Sequence, residues 1–148
     1  MFDPETLLGS ETQGAMSTEY TPIPNGEYVG IIKDLNVKQV VSQKNGETYN
    51  FFEIKYAIDD QEVAEITGMT EPVARQSMIL DITPGGTLDL GKGKNVQLGR
   101  LRAACKQNDP SKPWSFEMLR GQTVKVSIKH RTADDGQIYA EVKNVAPL

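Results

Sequence analysis

The sequence predicts a mainly β protein, a five-stranded Greek-key barrel with one helix between strands three and four. Three observations carry that expectation. Runs of β-branched and aromatic residues fill residues 26–58 and 121–145, and each run is folded back on itself by a turn dipeptide, Asn45-Gly46 in one and Asp135-Gly136 in the other. A single stretch between them, Val96 to Lys106, instead repeats apolar residues at helical spacing, with Leu98, Leu101 and Cys105 on one face. The chain of 148 residues is long enough for one core and leaves little room for a second.

Taken in order, residues 1–25 read as a flexible acidic tail, because polar residues, scattered Gly and Ser, and the Thr21-Pro22-Ile23-Pro24-Asn25 segment show no period of 2 or 3.6. Residues 26–148 then form the barrel domain. Strand one is expected from Gly26 to Val41, rich in Val and Ile, with Gly30 as the place to bend. Lys44-Asn45-Gly46-Glu47 turns it into strand two, Thr48 to Ile58. A third, irregular strand follows through Met69 to Ile82 and breaks at Thr83-Pro84-Gly85-Gly86. Asn95 is the expected N-cap of the helix Val96 to Lys106, in which Gly99 costs about 1 kcal/mol relative to Ala.

The clearest alternation comes last. Val124, Val126 and Ile128 alternate with Lys125, Ser127 and Lys129, and Ile138, Ala140 and Val142 alternate with Tyr139, Glu141 and Lys143, so strands four and five form a half-buried hairpin. The resulting order, three strands, a helix and two strands, is that of the OB-fold, whose second and third strands form its oligonucleotide face. A β-sandwich has the same element order, which does not by itself determine closure.

Composition narrows the chemistry. With 38% hydrophobic and 24% charged residues the chain falls in the globular range. No apolar run approaches the ~20 residues of a membrane span. No basic start followed by an apolar stretch is present, so no secretory leader is expected. His130 and Cys105 are each single, too few for a His/Cys metal centre or a nucleophile–base pair, so neither cofactor nor catalysis is expected; the lone cysteine suits a reducing compartment. Gly86 to Lys92 fits seven positions of the phosphate-cradling G-x-x-x-x-G-K-[ST] pattern, but the eighth is Gly93, and the alternating βα units of such domains are missing, which argues against nucleotide hydrolysis.

Charge is divided along the chain. The net charge is −4, yet Met1 to Glu27 holds five acids and no base, whereas Gly91 to Arg131 holds ten Lys and Arg against Asp109 and Glu117, a net +8. An anion-binding face is therefore compatible with an acidic protein, although bases on strands and helices are ordinarily just solvated. The aromatics decide between these readings. If Asn50, Phe52, Ile54, Tyr56 and Ile58 face the core, then Tyr49, Phe51 and Lys55 face outward, two rings and a cation suited to stacking bases and following phosphates. Lys92, Lys94, Arg100, Lys125, Lys129, Arg131 and Tyr139 complete the expected DNA-binding set. The plainer alternative is that Tyr49 and Phe51 cover a small second core beneath the tail.

Pro24-Asn25-Gly26-Glu27-Tyr28, Gly91-Lys92-Gly93-Lys94-Asn95, Leu98-Gly99-Arg100-Leu101-Arg102 and the closing run from Gly136 to Val145 resemble a group of small tailed-bacteriophage proteins, several of which bind single-stranded DNA or are thought to. The resemblance spans about Gly26 to Leu148. It implies an OB-fold, single-stranded DNA as ligand, and a role in phage DNA replication or recombination in the host cytoplasm. Such proteins commonly carry an acidic C-terminal tail for partners, whereas here the acids precede the barrel, so replication or recombination partners are expected at the N-terminus. Self-association is left open by the sequence. The rival expectation is a virion protein, a barrel that decorates or cements a capsid through its N-terminal arm.

Overall fold

The structure, a computed structural model, describes residues 2–148. Its strands are β1 (Gly26–Val41), β2 (Thr48–Ile58), β3 (Val73–Leu80), β4 (Thr123–Thr132) and β5 (Ile138–Ala146). The fold is mainly β, and these five strands form one closed sheet in the order β1-β2-β3-β5-β4. Helices α1 (Pro4–Gly9), α2 (Gln61–Thr67) and α3 (Val96–Ala104) and a 3-10 turn at Phe116–Leu119 fill the connections.

Closure depends on β1 serving two partners. It pairs antiparallel with β2 from Gly30 to Val41 and with β4 from Gly26 to Ile31, and its register shifts between Ile32 and Asp34. Gly30 belongs to both ladders, opposite Ile58 in one and Val124 in the other. A Cβ on Gly30 would lie 3.0 Å from Val126 Cγ1 and 3.4 Å from Tyr56 Cδ1, so the bend is packed too tightly for a side chain. β3 pairs with β2 along its length but meets β5 in parallel at one ladder position, Arg75 with Glu141.

Alternation along the strands places the core. Phe52, Ile54, Tyr56 and Ile58 of β2, Ala74, Met78 and Leu80 of β3, Val124, Val126 and Ile128 of β4, and Val142 of β5 are buried together. Leu98, Leu101 and Ala104 of α3 join them. Phe116 meets Phe52 edge-on at 4.7 Å and Trp114 at 5.1 Å. Gln107 ties this aromatic cap in place: Trp114 Nε1 donates to its Oε1 (2.9 Å), and its Nε2 donates to Met118 O (2.8 Å).

Several expectations are corrected. The irregular third strand Met69–Ile82 is shorter, Val73–Leu80, and the β2–β3 connection holds helix α2, so one helix in the whole barrel is too few. Asp60 Oδ1 caps α2 by accepting from Val63 N (3.1 Å), and Gly68 at φ 73° ends it. Seven residues give too few helical repeats to stand out from a loop. The α3 helix ends at Ala104 instead of Lys106, and Asn95 gives it no side-chain cap. Asn95 Nδ2 donates instead to Asp81 O and Asp89 O (2.9 Å each), and its Oδ1 accepts from Asp81 N (2.9 Å), pinning the end of β3 to the loop before α3. The segment read as tail is not free throughout: Ile23 is 2% exposed, its carbonyl accepts from His130 Nε2 (2.7 Å), and Asn25 Oδ1 accepts from His130 N (3.0 Å).

The packing makes the strand register testable. Phe52→Ala should cost about 3–5 kcal/mol, as large core truncations do, while Phe51→Ala, half-buried on the outer face, should cost much less in urea unfolding. The reverse order of effects would mean that β2 is misregistered by one residue. Gly30→Ala should lower stability by about 1–3 kcal/mol through overpacking against Val126, and an unchanged unfolding midpoint would contradict the close approach.

Candidate nucleic-acid interface

The alternation that buries Phe52 and Ile54 turns Tyr49, Phe51, Glu53 and Lys55 outward. On either side of Phe51 lie Lys38 of β1 and Ile79 of β3, and Val40 lies beside Tyr49. Ile79 is 56% exposed and Val40 40%, so the two rings sit in an open apolar patch with Lys38 at its edge. Tyr49 is held at the hairpin turn, where its hydroxyl donates to Glu47 Oε2 (3.1 Å) and accepts from Asn45 Nδ2 (3.2 Å).

Two strand steps further along, one row of charges crosses the sheet. Asp34, Lys55, Arg75, Glu141 and Lys129 stand opposite one another in succession on β1, β2, β3, β5 and β4. A groove of about 760 Å³ runs over this row, with Lys55, Arg75, Arg131 and Lys143 among its walls, together with Asp34, Glu53 and Glu141. The acids are largely engaged. Glu141 takes both Arg131 and Lys143, the latter at 3.5 Å, and Glu53 takes Lys38 at 3.4 Å. Lys55 and Arg75 form no ion pair among the described residues, leaving two adjacent cations available to an anion.

The structure thus brings together part of the expected set. Tyr49, Phe51 and Lys55 share one face, and Arg131 lines the groove. Tyr139 stacks beside Arg131, whose guanidinium lies 5.4 Å from the ring centroid, and Lys129 reaches the same row through Glu141. Four residues lie elsewhere. Lys125 is nearer the start of β4, four residues or about 13 Å from Lys129, and pairs with Glu27 at 3.4 Å. Lys92 and Lys94 are exposed in the loop before α3, where Lys94 lines a separate depression of about 220 Å³. Arg100 is exposed on α3, a helix that contributes only Gln97 to the groove. Arg75, Lys38 and Lys143 were missed. Their signal was the strict alternation of β3 and the register of the hairpins, obscured in β3 by Gln76 facing in and Ile79 facing out.

Two groups in and against the core, the buried Tyr56 and the half-buried Cys105, are chemically quiet. Burial, and secondarily the neighbouring Cys105, raises the Tyr56 hydroxyl far above its ordinary range, so it remains protonated. Burial also pushes the Cys105 thiol from 9.0 up to about 11. No group of His, Cys, Asp and Glu among the described residues is arranged to hold a metal ion. No known protein family matches the chain, and no curated protein is similar to it.

Because the thiolate is the reactive form, alkylation of Cys105 in the folded protein should accelerate about tenfold per pH unit up to pH 11, while the urea-unfolded chain levels off near pH 9. The sign for stability follows: the unfolded chain loses this proton first, so the thiol's contribution declines as pH rises from 9.0 to about 11. Equal alkylation profiles for folded and unfolded protein would contradict the burial of Cys105.

Proposed function

We propose that the closed sheet is an OB-type barrel and that the protein is a binding module for single-stranded DNA, without strong sequence preference, acting in phage DNA replication or recombination in the host cytoplasm. The observation that carries this reading is the outward pair Tyr49 and Phe51 on β2, adjoining a groove in which Lys55 and Arg75 form no ion pair among the described residues. Rings of this kind stack on any base, and cations beside them follow the phosphates. The strand order β1-β2-β3-β5-β4 supports the barrel type, and the phage setting is an expectation carried by the residue patterns of the sequence alone. No helix among the described residues is long and apolar enough to cross a membrane. Binding, with no catalytic step, accounts for the arrangement of these residues.

A second reading draws on the N-terminal arm. Phe2, Leu7, Leu8, Met16 and Tyr20 are 58–90% exposed, interleaved with Asp3, Glu5, Glu11 and Glu19. Such an arm suits docking on a replication or recombination protein, on a second copy, or on a capsid surface.

A gel shift with labelled oligo-dT separates the readings. Binding should weaken as salt rises, Phe51→Ala and Tyr49→Ala should each cost about 1–3 kcal/mol of affinity, and Arg75→Ala should reduce the salt slope by about 0.7. No shift at micromolar protein, with recovery of the chain from purified virions, would overturn DNA binding in favour of the structural role.

A further inference from the structure

Gln76 is the one buried polar residue among the described residues, 9% exposed, on the inner face of β3 between Ala74 and Met78. Its position opposite Ile54 would suit an aliphatic side chain. The Tyr56 hydroxyl, itself fully buried, donates to Gln76 Oε1 at 2.6 Å. With Tyr56 held protonated by its burial, that oxygen is committed inward, and the amide NH₂ is left on the other side. Nε2 has no acceptor among the described residues, and it is not sealed from solvent. Gln76 lines the groove beside Leu35, Ile54 and Val142, with Lys55, Arg75 and Arg131 at the rim.

The floor is therefore a fixed donor in an apolar setting, beneath a rim of mixed charge in which Lys55 and Arg75 form no ion pair among the described residues. A flat ring with an acceptor on its edge and a phosphate behind it matches all three features. We infer that Gln76 is a base-reading residue, whose amide N–H donates to a carbonyl oxygen of one nucleobase lowered edge-first into the groove. Thymine presents O4 as an acceptor, whereas adenine sets an amino donor beside its N7 and pairs fully with a glutamine only when the amide oxygen is free, which Tyr56 prevents here, so the site favours thymine over adenine at this position. This rests on the single-stranded DNA reading and adds a local preference to otherwise sequence-tolerant stacking.

The test compares oligo-dT with oligo-dA for wild type, for Tyr56→Phe, and for the double variant Tyr56→Phe/Gln76→Leu. The double variant removes donor and acceptor together and so leaves no buried group unpaired. Tyr56→Phe alone keeps the amide but removes the partner that orients it. Wild type should prefer oligo-dT; the double variant should lose threefold to tenfold in oligo-dT affinity with oligo-dA unchanged, and Tyr56→Phe should fall between. Phe51→Ala should weaken both oligonucleotides alike. A dT/dA ratio that is the same in wild type and both variants would overturn the role of Gln76 and leave DNA binding standing, whereas wild type binding neither oligonucleotide would overturn both.

Discussion

Strand β1 belongs to two ladders at once, and the overlap at Gly30 is where an open sheet becomes a closed one. Upstream of it the strand pairs with β4, downstream with β2, and the absence of a side chain lets Val126 and Tyr56 close over the bend. The register shift after Ile32 then lets Ile32 and Leu35 both turn toward the interior. Every outward position on β2 follows from that register. Were β1 straight, Tyr49 and Phe51 would lie on an open sheet with no neighbouring β5, and the row from Asp34 to Lys129 would not exist.

Much of this architecture was legible because local patterns and tertiary burial agree. Asn45-Gly46 turns β1 into β2, and the alternations of β4 and β5 place Val124, Val126, Ile128 and Val142 inside. The sequence was opaque where a side chain's polarity opposes its position. In β3, Gln76 faces in and Ile79 faces out, so period-2 alternation is blurred and Arg75 passes unnoticed. Ile23, an isolated aliphatic between two prolines, looks like tail, and only the fold brings His130 to its carbonyl 107 residues later. Asn95 has the residue type of a helix cap, but a left-handed backbone (φ 50°) turns it to bridge Asp81 and Asp89 instead.

Charge was the least transferable signal from sequence to surface. The ten bases between Gly91 and Arg131 are clustered in the chain but distributed over the connections on either side of α3, over α3 itself and over both ends of β4. Lys125 is neutralised by Glu27, which belongs to the acidic N-terminal stretch, and Arg131 by Glu141. The two groove cations that form no ion pair among the described residues, Lys55 and Arg75, come from a part of the chain outside the basic block. Local electrostatics here is a product of cross-strand pairing, which sequence distance does not measure.

Four seams of the closed sheet are long ladders, and the fifth, between β3 and β5, is a single ladder pair. The groove straddles that seam, with Arg75, Gln76 and Ser77 on one bank and Glu141, Val142 and Lys143 on the other. A molecule lying across it bridges the two strands that hold each other least, acting as a rivet where the hoop is merely tacked. Occupancy and closure are then one equilibrium, and an occupant present at a hundred times its dissociation constant would add about 2.7 kcal/mol to the work of parting the barrel.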